Sequence, residues 1–113
     1  MNAEVHPVVK ISLARSNVVF DERLTALLHL VDEGGAVQDS CQRMGIPLSS
    51  AWYLLAQAED SLGFPLLRNR QGEYMLTEKG KKLMDSYDEF HTAVQAKAEM
   101  LFESFLPFGE APL

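Results

Sequence analysis

Residues 45–80, GIPLSSAWYLLAQAEDSLGFPLLRNRQGEYMLTEKG, constrain what this chain can fold into more than any other stretch. Gly45 stops what precedes it, and Pro47 falls at the entry to a helix, where the amide it lacks would have had no partner. Ala51, Leu55, Ala58 and Leu62 then recur at helical spacing and face inward, with Glu59 and Asp60 on the solvated side. The spacing predicts a helix over 47–62, ended by Gly63. Over 65–77, Leu66 and Leu67 read as a brief strand, 69–72 as a turn and 74–76 as the return strand. Thr77 is placed to cap one further helix, and Glu78 suits the positive end of its dipole.

The flanking segments fit around this frame. Residues 8–20, VVKISLARSNVVF, are rich in Val and Ile and carry Arg15-Ser16-Asn17 as turn chemistry, which predicts strands over 8–14 and 18–20. Asp21 is a good N-cap, and Leu24, Leu27, Leu28 and Val31 predict a helix over 21–33 that Gly34 and Gly35 end. A second helix over 36–44 places Val37, Cys41 and Met44 on one stripe. The last helix runs over 78–105, with Leu83, Tyr87, Phe90, Val94, Leu101 and Phe105 in threes and fours apart from a gap at Lys97 and Ala98. A helix of that length, about 42 Å, is too long for a small core to cover, and its stripe reads as a dimer seam. The expected class is α+β, mainly α: one domain over 1–106, with 107–113 as a loose tail.

Composition removes several function classes. At 113 residues, 47% hydrophobic and 23% charged, the chain has room for one ordinary globular domain. No apolar run approaches the roughly 20 residues of a membrane span. The N-terminus lacks a basic region followed by an apolar one, and the single cysteine, Cys41, excludes an intramolecular disulfide; a cytoplasmic protein is expected. His6, His29 and His91 are scattered without helical pairing, so no metal site is expected. No glycine elbow holds a nucleophile and no glycine loop cradles phosphate, so neither an enzyme nor a cofactor is expected.

The net charge of −6 argues against a non-specific nucleic-acid coat. Its distribution is uneven, however. Residues 68–82 hold Arg68, Arg70, Lys79, Lys81 and Lys82 against Glu73 and Glu78, a local +3, and the rest of the chain carries −9. A chain so polarised can meet a polyanion with one face.

The segment from Phe20 to about Leu106 resembles the DNA-binding domain of molybdate-responsive (ModE-type) regulators and, more distantly, the N-terminal domain of LysR-type regulators. The residues that carry the resemblance are Leu27-Leu28, Gly35-Ala36-Val37, Met44-Gly45-Ile46, Ala51-Trp52, Leu62-Gly63-Phe64-Pro65-Leu66 and Leu76-Thr77-Glu78-Lys79-Gly80. The strand pair ahead of the first helix is closer to the ModE type. The resemblance implies a winged helix-turn-helix: the third helix enters the major groove, the hairpin is a wing on the flanking backbone, and the last helix pairs with its twin. The chain departs from the family pattern in having no basic residue on the third helix and no glycine-rich wing insertion. Nothing after the last helix has the length of a molybdate-binding or effector domain, so molybdate binding is not expected of this chain.

On this reading the chain is a homodimeric regulator of transcription that binds duplex DNA. Leu48, Ser49, Ser50, Tyr53 and Gln57 would face base edges, with Arg43, Arg68, Arg70, Lys79, Lys81 and Lys82 on phosphates. Leu83, Tyr87, Phe90, Val94, Leu101 and Phe105 would form the dimer interface. Trp52 reads as a packing residue and Cys41 as a small buried hydrophobe. The alternative is a protein–protein interaction module on the same scaffold that has lost DNA binding, favoured by the acidic balance and the base-free third helix.

Overall fold

Asp21 begins the first helix. In the computed structural model, which describes residues 5–106, its carboxylate accepts the amide hydrogens of Arg23 and Leu24, both at 3.1 Å. Two of the amides that a helix start leaves without partners are thereby satisfied. Helix α1 spans Glu22–Asp32, α2 Val37–Met44 and α3 Leu48–Leu62. Both α2 and α3 end on a glycine with left-handed backbone, Gly45 and Gly63. Helix α4 spans Glu78–Phe105. Two antiparallel strand pairs complete an α+β architecture: β1 (Leu13–Ala14) with β2 (Val18–Phe20), and β3 (Leu67–Arg70) with β4 (Glu73–Leu76). The expected tail, 107–113, lies outside the described residues. Among the described residues, no helix is long and apolar enough to cross a membrane.

The chain divides into two compact units. The larger is Ile11–Tyr87; the smaller joins the segment before Ile11 to the chain from Asp88 onward. The core belongs to the larger unit. Phe20, Leu27, Leu28, Leu55, Leu66 and Met84 are the largest of its fully enclosed side chains, with Ala51, Ala58 and Cys41 buried in the same cluster. Each buried Leu or Phe contributes about 1.5–3 kcal/mol relative to exposure. Burial also pushes the Cys41 thiol up from its ordinary pKa, as a packed apolar site disfavours the thiolate.

The start of α4 is docked by backbone contact. Thr77 Oγ1 accepts from the Gly80 amide at 2.9 Å and donates to the Pro65 carbonyl at 2.7 Å, while the Thr77 amide donates to the Leu66 carbonyl at 3.0 Å. Gly80 is buried there, and a Cβ at this position would overlap the Leu66 carbonyl oxygen. Only glycine allows the helix this close to the chain entering β3.

Two expectations need correction. The turn between β3 and β4 is Gln71–Gly72, not 69–72: both have positive φ (56° and 90°), so the strands extend to Arg70 and Glu73 in a tight two-residue hairpin. Asn69 belongs to β3, and its side chain accepts from the Gly72 amide at 2.9 Å. The first strand is also much shorter than 8–14. Ahead of Leu13, the backbone is satisfied by side chains of α4 instead of a neighbouring strand. In the smaller unit, Gln95 donates to the Pro7 carbonyl (2.8 Å) and accepts from the Val9 amide (2.9 Å), while His91 Nε2 donates to the Val9 carbonyl at 2.8 Å. A carbonyl only accepts, which fixes the proton on Nε2. Within the larger unit, Tyr87 donates to the Ile11 carbonyl at 2.7 Å. Residues four apart on a helix are separated by about 6 Å, and alternate residues of an extended chain by nearly the same, so side chains on one helix face can serve every second residue.

Candidate nucleic-acid interface

Helix α3 is the centre of the candidate site. Ala51, Leu55 and Ala58 are buried, and the opposite face presents Ser49, Ser50, Tyr53, Ala56 and Asp60 to solvent. Tyr53 is 65% exposed, and Leu48 is also exposed at the helix start. The outward face carries hydroxyls, a phenol and one acid, and no residue of the helix is basic. Such a surface can make hydrogen bonds and apolar contacts but supplies no phosphate attraction of its own.

The β3–β4 hairpin lies along one flank of α3, held at two points. Near the end of α3, Glu59 Oε2 accepts from the Leu66 amide at 2.7 Å and the Leu67 amide at 3.3 Å. Nearer its start, the Trp52 ring packs against that of Tyr74, with centroids 4.9 Å apart. The hairpin therefore runs back from the end of α3 toward its beginning, and Gly72, Glu73 and Met75 border the α1–α2 junction at Gly35, Ala36 and Val37. Its ladder pairs Arg68 with Met75 and Arg70 with Glu73, which places both arginines, with Glu73 directly across from Arg70, on the face opposite the one that Tyr74 turns to Trp52. Both are exposed, and neither makes an ion pair among the described residues. Arg43 is exposed in the last turn of α2, just ahead of the bend through Gly45, Ile46 and Pro47.

The three lysines do not form one patch. Lys81 Nζ lies 3.2 Å from Asp32 and 3.7 Å from Asp85. The hydrogen bond and charge of Asp32, with Asp85 behind it, raise the ammonium above its ordinary pKa. Lys79 and Lys82 sit on another side of α4, where they border a shallow depression of about 330 Å³ floored by Phe64 and Leu83. The Lys79 ammonium stands 5.5 Å from the centre of the Phe64 ring. Phe64 lies two residues beyond the end of α3, so this pair lies one helix length, about 22 Å, from the helix start.

Other sequence-derived residues also shift. Gln57 is half-buried and lines a cleft beside the β1–β2 hairpin instead of standing on the open face. Glu59 is a tether for the hairpin and not a solvated charge. Tyr87, expected at a dimer seam, is a core residue of its own chain: 4% exposed, edge-on to Phe20 with centroids 5.3 Å apart. Leu83 packs against the same core. Phe90, Leu101 and Phe105 are exposed, Phe105 by 75%, together with Met100 and Leu106, which the periodic stripe had passed over; Val94 is half-buried.

Sequence reasoning had no local signal for Glu59, because an acid on the outer half of a helix looks the same whether it is solvated or tied. Comparison with protein-family profiles gives no match to this chain, and comparison with curated proteins gives none either.

Proposed function

We propose that this chain is a duplex-DNA-binding regulator of transcription, acting in the cytoplasm as a homodimer. In this reading α2, its turn and α3 form a helix-turn-helix, with β3–β4 as the wing. The observation that carries it is the exposed, base-free face of α3 flanked by a hairpin whose outward face holds Arg68 and Arg70, neither in an ion pair among the described residues. A polar, uncharged helix face beside a hairpin that carries two exposed guanidinium groups is what a base-reading helix with phosphate clamps requires. The likeness of the sequence to ModE-type and LysR-type domains supports the same assignment. Leu48, Ser49, Ser50 and Tyr53 then face base edges, Arg68 and Arg70 hold phosphates, and Arg43 approaches the backbone at the helix entry. Lys79 and Lys82 reach only phosphates at the far end of α3. The exposed Phe90, Leu101 and Phe105 of α4 pair two copies, so that two helices address successive half-sites.

A second reading has its own support. Leu48 and Tyr53 are exposed, Asp60 shares their face, and α3 has no base, a surface equally suited to a protein partner. Selection from a pool of random duplexes, at low and near-physiological salt, separates the two. An enriched two-fold motif with a steep salt slope supports the regulator. No enrichment at either salt, from folded protein, transfers the assignment to a protein-interaction module.

A further inference from the structure

We propose that the turn of the β1–β2 hairpin, led by Arg15, is a second phosphate-binding site, so that α3 is gripped between two hairpins holding the backbones on either side of one major groove. The inference rests on α3 being a DNA-contacting helix.

The two flanks of α3 follow from its winding. With Ala51, Leu55 and Ala58 inward, Trp52 and Glu59 fall on one flank, and Leu54 and Gln57 on the other. The first flank holds β3–β4. Leu54 and Gln57 line a cleft of about 260 Å³ with Asn17, Val18 and Phe20, so β2 and the turn before it lie along the second flank. Arg15, Ser16 and Asn17 form that turn, closed by the Arg15 amide donating to the Asn17 carbonyl at 3.1 Å. All three residues are exposed, and Arg15 makes no ion pair among the described residues.

Size and charge then assign the ligand. A helix with its side chains is about 10–12 Å across and the major groove about 12 Å wide. The helix fills the groove, and whatever is packed on its flanks falls over the phosphate walls. α3 has no base of its own, so apart from Arg43 at its entry and Lys79 and Lys82 at its far end the attraction comes from the flanks: Arg68 and Arg70 on one side, Arg15 on the other. Arg23 also borders the cleft, but its guanidinium is tied to Asp21 at 3.3 Å. Arg15 is thus the cation that this turn presents, and the ligand is a phosphodiester of the strand opposite the one that β3–β4 holds.

The test is fluorescence anisotropy with a labelled random-sequence duplex over a range of salt, on the full chain. Arg15→Ala is expected to weaken binding several-fold (about 3- to 10-fold) and to reduce the salt slope by about 0.9 per protomer, while Arg15→Lys keeps the slope. Phosphate-ethylation interference should show contacts on both sides of the groove, one set of them lost in Arg15→Ala. Because Arg15 is exposed in a turn, its variants should melt with the wild type. An unchanged slope in Arg15→Ala, with steep wild-type binding, overturns the second site and leaves the proposed function standing. Wild-type protein that binds no duplex at any salt overturns both.

Discussion

The Glu59 carboxylate accepts the amide hydrogen of Leu66 at 2.7 Å, and that of Leu67 through the same oxygen, anchoring the chain entering β3 to the last turns of α3. With Trp52 against Tyr74 as the second point of attachment, this bond sets the direction of the hairpin along α3.

Glu59→Ala removes a charge-assisted acceptor and leaves two amides short of a partner. A loss of about 1–3 kcal/mol in unfolding free energy is expected from urea titration. Glu59→Gln should recover part of it, since the amide oxygen still accepts. Equal losses in both variants would mean that the negative charge, and not the acceptor, matters.

Gly80→Ala introduces a Cβ into the space of the Leu66 carbonyl, with no flexible side chain to give way. Overpacking of this kind costs about 1–3 kcal/mol, read as a lower melting temperature. Thr77→Ala should cost about 1 kcal/mol through the lost cap alone. If Gly80→Ala melts with the wild type, α4 can shift along β3 and the close approach is not required.

Arg68→Ala with Arg70→Ala should weaken duplex binding for all sequences alike and flatten the salt slope by up to about 1.8 per protomer, or 0.9 for each lost phosphate contact. A change in sequence preference with an unaltered slope would instead put these arginines on base edges.

Phe90→Asp or Leu101→Asp should convert a dimer to monomers in light scattering without loss of fold, since both side chains are exposed. Tyr87→Phe provides the contrast. It removes the bond to the Ile11 carbonyl and should cost about 0.5–1.5 kcal/mol in stability while leaving the assembly unchanged. A dimer that survives both aspartates would place the interface away from α4.

Lys81 predicts an alkaline dependence. Its folded pKa is raised, so the stability it contributes is fully present below the unfolded value of about 10.4 and is lost as pH rises through the folded value. Lys81→Met should therefore melt below the wild type near neutral pH, and the difference should close at strongly alkaline pH. The pair is half-exposed, so the difference should also shrink in about 1 M salt. A gap that persists at alkaline pH would point to packing of the aliphatic stem.

The helices, their caps and the presence of two hairpins were readable in the chain because each depends on residues a few positions apart: Asp21 on the amides of Arg23 and Leu24, Gly45 and Gly63 on the turns they end, Thr77 on Gly80. The hydrophobic period likewise separated Ala51, Leu55 and Ala58 from Ser49 and Tyr53 without knowledge of what would cover them. Other features were settled only by tertiary contact. Tyr87 and Phe90 belong to one periodic stripe, yet Phe20 and the Ile11 carbonyl bury the first and leave the second exposed. Residues 8–12 have the composition of a strand, yet the backbone of Val9 and Ile11 finds partners in side chains of a helix more than 70 positions away. Lys79, Lys81 and Lys82 lie within four positions of one another, yet the 100° step of the helix sends Lys81 to Asp32 and the other two to the depression at Phe64. Local hydrogen bonding and periodicity are properties of the chain, whereas which side of each element meets another, and which charge is neutralised there, is decided when distant segments pack.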